Sequence, residues 1–88
     1  MIWTINFSEI ALKQLKKLDK QVAKRIIEFL EKRISVVDDP TQQAKALAYH
    51  KSGLWRYRVG DYRVICQINN ETITILVLEI GHRKDIYA

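Results

Sequence analysis

Cysteine occurs once in this 88-residue chain, proline once, glycine three times and histidine twice. A lone cysteine excludes an internal disulfide framework and a cysteine-rich zinc site. Two histidines give no metal-ligand cluster, so no metal or other cofactor is expected. So little glycine and proline excludes a collagenous, low-complexity or disordered chain. No apolar run approaches the roughly 18 residues of a membrane span. The opening MIWTINFSEI has no basic stretch ahead of it, so neither export nor membrane partnership is expected. A reducing cytoplasm suits a core held without staples. What is present is the composition of one folded domain over 1–88, 48% hydrophobic and 28% charged. Fifteen basic against ten acidic residues leave a net charge of +5. That excess favours an anionic partner without naming one, since moderate charge also serves solubility.

Trp3, Ile5 and Phe7 alternate with polar neighbours and predict a short first strand over 1–7. Ser8 reads as a helix N-cap, with Glu9 in the first turn. Ala11, Leu12, Leu15 and Leu18 follow at helical spacing. Asp19 caps a second helix whose stripe is Val22, Ile26, Ile27, Leu30 and Ile34. Asp38-Asp39-Pro40 ends it. Residues 41–53 are ambiguous; Gln42 to Tyr49 suit a turn or two of helix. Beyond them the period changes to two, and Leu54–Val59, Tyr62–Ile68 and Thr72–Ile80 read as three strands. Gly60-Asp61 and Asn69-Asn70 suit two-residue hairpin loops. The expected class is α+β: an N-terminal strand and a two-helix hairpin packed on an antiparallel sheet, in the order β-α-α-β-β-β.

A two-residue loop at Gly60-Asp61 fixes the register of the first hairpin. Val59 then opposes Tyr62, Arg58 opposes Arg63, and Arg56 opposes Ile65. Directly opposed residues share a face. Trp55, Tyr57, Val59, Tyr62, Val64 and Cys66 form the core face, and Arg56, Arg58 and Arg63 gather on the other. A two-residue second loop sets Ile68 against Glu71 and Val64 against Ile75. Ile73, Ile75 and Val77 then join the core, while Leu76, Leu78 and Ile80 lie beside the arginines. Opposed like charges cost roughly 0.2–1 kcal/mol. A bound polyanion would relieve that cost, and the arginine fork bonds phosphate bidentately. The plainer reading is a solvated face whose arginines cover Ile65 and Leu76 with their aliphatic stems.

W-R-Y-R-V-G-D-Y-R-V at 55–64 and G-H-R-K-D-I-Y at 81–87 carry a resemblance to the RelE/ParE superfamily of toxins from type II toxin–antitoxin pairs. The order of strands and helices matches over essentially the whole chain. The tail, with Arg83 two residues after Gly81 and Tyr87 four further on, looks like the RelE branch. That branch cuts mRNA in the ribosomal A site and inhibits translation. The resemblance implies a metal-independent endoribonuclease with Arg56, Arg58, Arg63, Arg83 and Tyr87 in its site. It also implies a cognate antitoxin with an acidic helical segment, a ribosome carrying mRNA as the target, and operator DNA bound through the antitoxin.

Arg56 and Arg58 stand where the best-known RelE enzymes have lysines. Arginine stays protonated, so charge stabilisation is kept and the general base is left open. In the implied chemistry a 2′-hydroxyl attacks the adjacent phosphorus. Arg63 and Arg83 would meet the charge on the phosphorane, and Arg56 and Arg58 would hold the backbone. Tyr87 would orient the 2′-hydroxyl, stack on a base or act as the base. His82 is a secondary candidate for a proton shuttle. His50 reads as structural or solvated, Cys66 as core, and the lysines of the helices as solvated faces with Arg25. Two other functions remain open: a gyrase-directed toxin of the ParE type, and a catalytically degenerate homologue serving as an antitoxin-binding corepressor.

Overall fold

The computed structural model describes residues 2–47 and 53–82. Strand β1 (Thr4–Phe7) leads into α1 (Glu9–Lys17) and α2 (Lys20–Glu28). A widened helical turn (Phe29–Ile34) continues α2, and a single 3₁₀ turn (Pro40–Gln43) follows. Strands β2 (Lys45–Ala46), β3 (Leu54–Val59), β4 (Tyr62–Asn69) and β5 (Thr74–His82) complete the described chain. They form one five-stranded sheet in the order β1-β5-β4-β3-β2. The expected antiparallel sheet is mixed, because β1 runs parallel to β5.

Both helix caps are where the sequence puts them. The Ser8 hydroxyl accepts from the Ala11 amide at 3.0 Å, and the Asp19 carboxylate accepts from the Gln21 amide at 3.0 Å. Each cap satisfies an amide that has no partner within its helix. Ile26, Leu30 and Ile34 are spaced by four and all fully buried. At 3.6 residues per turn, a four-residue step overshoots by about 40°. The chain removes that drift by widening the turn, and the Ser35 amide reaches back five residues to the Leu30 carbonyl at 2.9 Å. The Ser35 hydroxyl donates to the Glu31 carbonyl as well.

One face of the sheet packs on the helices. Tyr57, Val64, Cys66, Ile75, Val77 and Ile80 meet Ala11, Leu15, Ile26, Leu30 and Ile34 there. Burying an Ile, Leu or Val side chain of this kind stabilises the fold by about 1.5–3 kcal/mol. Trp3 closes one end, its indole donating to the Val37 carbonyl at 3.1 Å.

Two expectations are corrected. The second hairpin loop spans Asn70–Ile73, so Asn69 pairs with Thr74 and Ile68 with Ile75. Asn69 does not occupy the turn; its side-chain carbonyl accepts from the amides of Glu71 (2.9 Å) and Thr72 (3.2 Å). Ile73 completes the loop at a φ of 53°, a left-handed value rare for a β-branched residue. Beyond it the ladder shifts by one residue between Ile65 and Cys66. Val64 therefore faces Ile80, and Ile65 faces Glu79. Ile80 belongs to the core, 1% exposed, and not to the arginine face. The extra residue is Leu78, a β-bulge that reverses the side-chain alternation of β5. Helix α1 takes up the backbone groups around it. The Ser8 hydroxyl donates to the Leu78 carbonyl at 2.9 Å, and the Gln14 side chain accepts from the Ile80 amide at 2.5 Å.

Candidate functional site

The β3–β4 register is the one the two-residue loop dictates. Gly60 supplies a φ of 60° at the first loop position, as a II′ hairpin requires. Arg58 stands opposite Arg63, and Arg56 opposite Ile65. The three arginines share the sheet face turned away from the helices.

Their environments differ. Arg58 is exposed, Arg56 half-buried, and Arg63 only 7% exposed. Arg63 stands on an interior strand, between β3 and β5, and one of its terminal nitrogens donates to the Tyr62 carbonyl at 3.4 Å. Across β5 it faces Gly81. The bulge also brings Glu79 onto this face opposite Ile65, where the uncorrected alternation would set an apolar residue.

Lys45 on β2 stands opposite Arg56, a fourth cation on the same face. It lies in the stretch whose sequence was ambiguous. From Arg56 and Arg58 a depression of about 560 Å³ runs over this edge of the sheet to Arg33, at the end of the widened turn. The Arg33 guanidinium carbon is 5.8 Å from the centre of the Phe29 ring. Their i, i+4 spacing was the available signal for that pairing.

His82 faces Tyr62, with ring centres 5.4 Å apart and nearly perpendicular. That is the helix side of the sheet, away from the three arginines. Arg83 and Tyr87 follow the end of β5 and lie outside the described residues, as does His50. Cys66 is fully buried, and burial pushes its thiol up to about 12. It is a core residue and no nucleophile. Tyr57 is also fully buried; burial raises its phenol above the ordinary value, and its hydroxyl donates to the Pro40 carbonyl at 2.5 Å. Among the described residues no group of three or more His, Cys, Asp or Glu is placed to hold a metal ion. No helix among them is long and apolar enough to cross a membrane.

Fold and site together define a small α+β domain with cations clustered on one sheet face. The family model described as the ParE toxin of the type II toxin–antitoxin system parDE matches residues 5–87. Toxin RelG of Mycobacterium tuberculosis is 31% identical over 87 residues, covering 99% of this chain and 98% of that protein. Toxin RelE3 of Methanocaldococcus jannaschii is 33% identical over 84 residues, covering 92% and 91%. The structure of the toxin–antitoxin complex RelBE2 from M. tuberculosis matches with a TM-score of 0.83 at 28% identity, covering 94% of this chain and 93% of that one. The chain belongs to the RelE/ParE toxin family of type II toxin–antitoxin systems.

Proposed function

We propose that this toxin is a cytoplasmic endoribonuclease that cuts mRNA in the ribosomal A site and so arrests translation and growth. The observation that carries the reading is the clustering of Arg56, Arg58 and Arg63 on one face, with Arg58 opposed to Arg63. A ribose 2′-oxygen attacks the neighbouring phosphorus, and the bond to the 5′-oxygen breaks. The products are a cyclic phosphate and a free 5′-hydroxyl. The substrate supplies its own nucleophile, so the step needs no metal. Negative charge grows on the phosphorane oxygens, where preorganised arginines stabilise it most. In this proposal Arg63 and Arg83 meet those oxygens, Arg56 and Arg58 grip the flanking backbone, and Tyr87 orients or deprotonates the 2′-hydroxyl. His82, on the helix side of the sheet, serves only if the proton leaves by that side.

The partner in this proposal is a cognate antitoxin, as in the RelBE2 complex. The charge of +5 calls for an acidic segment, and an amphipathic helix is the economical way to carry it. The complex binds operator DNA through the antitoxin. The parDE description of the matching family favours a second reading, a gyrase-directed toxin without catalysis. A catalytically degenerate corepressor is the third. Mapping mRNA 5′-ends by primer extension after brief induction separates them: new in-frame cuts support the nuclease, and intact mRNA with damaged DNA supports the gyrase poison.

A further inference from the structure

We infer that the depression on the β2–β3 edge is a second phosphate-binding stretch, which carries a single RNA strand from the arginine face around the sheet edge to the end of α2. The inference rests on the endoribonuclease reading and adds Arg33 and Lys45 as positioning residues for the substrate.

The lining is one-signed. Arg33, Lys45, Arg56 and Arg58 face the space, with Gln42 and Gln43 between them, and no described lining residue is a carboxylate. The adjoining depression beside Arg25 and Lys32 differs, because Glu28 lines it. Two like-charged pairs, Lys45 with Arg56 and Arg58 with Arg63, stand in register on neighbouring strands. Directly opposed like charges cost the fold energy. A chain of phosphates lying along them lowers the energy of both.

The stretch is built, not incidental. Arg33 lies over Phe29, and Phe29 meets Tyr57 edge-on at 5.7 Å. The Tyr57 hydroxyl holds the Pro40 carbonyl, at the head of the turn that carries Gln42 and Gln43. Both walls are thus tied to one buried ring. An acidic amphipathic helix would need an apolar stripe to bind. Here the apolar lining is Phe29 and Ala44, and the Phe29 ring is already engaged by Arg33 and Tyr57. The guanidinium plane of Arg33 offers a base a stacking surface, and the two glutamine amides offer hydrogen bonds to ribose hydroxyls or base edges.

The test is binding of a 2′-O-methyl 12-mer, which resists cleavage, to the full chain at several salt concentrations. The variant is Arg33→Gln with Lys45→Gln; the control is Lys17→Gln with Lys24→Gln, an equal charge change elsewhere. About 0.7 of salt slope is expected per single-strand phosphate contact, so two lost contacts lower the slope by about 1.4. The deficit is then about 25-fold at 0.1 M salt and vanishes toward 1 M. Restoring charge with Arg33→Lys should recover part of the slope, which a folding defect would not allow. An unchanged slope, or an equal fall in the control, overturns the inference. So does a variant that keeps the RNA slope but no longer binds antitoxin. Cleavage of ribosome-bound mRNA by Arg63→Ala is scored separately. If that cleavage persists, the nuclease reading fails whatever the slope; if only the slope test fails, the nuclease reading stands.

Discussion

Arg58 and Arg63 face each other across two strands, one exposed and the other 7% exposed. The pairing works against the fold and for an anion. Arg58→Gln should therefore raise stability by about 0.2–1 kcal/mol while lowering cleavage. Denaturant titration beside a cleavage assay checks both. A variant that is less stable and fully active would remove the electrostatic account of this face.

Arg63→Ala and Arg83→Ala should each abolish growth arrest while leaving a folded protein. Loss of one donor to a developing oxyanion lowers the rate by about 10²–10³. Induction in growing cells, with circular dichroism of the purified variants, reads the result. Retained toxicity in both would end the catalytic reading of these two arginines.

Tyr87→Phe separates stacking from proton transfer, since it keeps the ring and removes the hydroxyl. If Tyr87 is the base, ribosome binding persists and cleavage slows by at least about 100-fold. If Tyr87 only stacks, Phe is silent and Ala is not. Single-turnover cleavage of both variants decides between the roles.

Gln14 accepts from the amide of Ile80, a residue 1% exposed. Gln14→Leu leaves that amide without its acceptor, which costs about 1–3 kcal/mol. Hydrogen exchange at Ile80 should rise with the loss. An unchanged midpoint of unfolding would mean that water replaces the side chain there.

Stability should also fall at alkaline pH. Cys66 titrates at about 12 when folded, against an ordinary 9.0. Above pH 9 the unfolded chain loses this proton and the folded chain keeps it. The unfolded state then binds fewer protons, so stability declines as pH rises from 9 toward 12 and is unaffected below 9. Cys66→Ala should flatten the decline between pH 9 and 10, as followed by urea titration. An identical decline in that variant would assign it to Tyr57 or the lysines.

The arginine cluster was legible because the Gly60-Asp61 loop fixes the first hairpin, and alternation does the rest. Alternation failed one strand later. Nothing in Leu78 marks a bulge, because the bonds that stabilise it come from Ser8 and Gln14, about 70 residues away in the chain. Asn69-Asn70 misled for a related reason: asparagine serves equally in a tight loop and as an acceptor for the loop beyond it. Lys45 and Arg33 were hidden differently. A two-residue strand has no period to detect, and Arg33 becomes a neighbour of Arg56 only through tertiary packing.

The last of the described strands, β5, is an interior strand of the sheet, set between β1 and β4. A chain stopped before Thr74 holds β1 with no neighbour and β4 with a bare edge. β1 can dock only onto β5, so a chain stopped there lacks the five-stranded sheet and leaves Arg63 on an edge strand. The fold thus withholds its finished sheet until β5 has been made and docked.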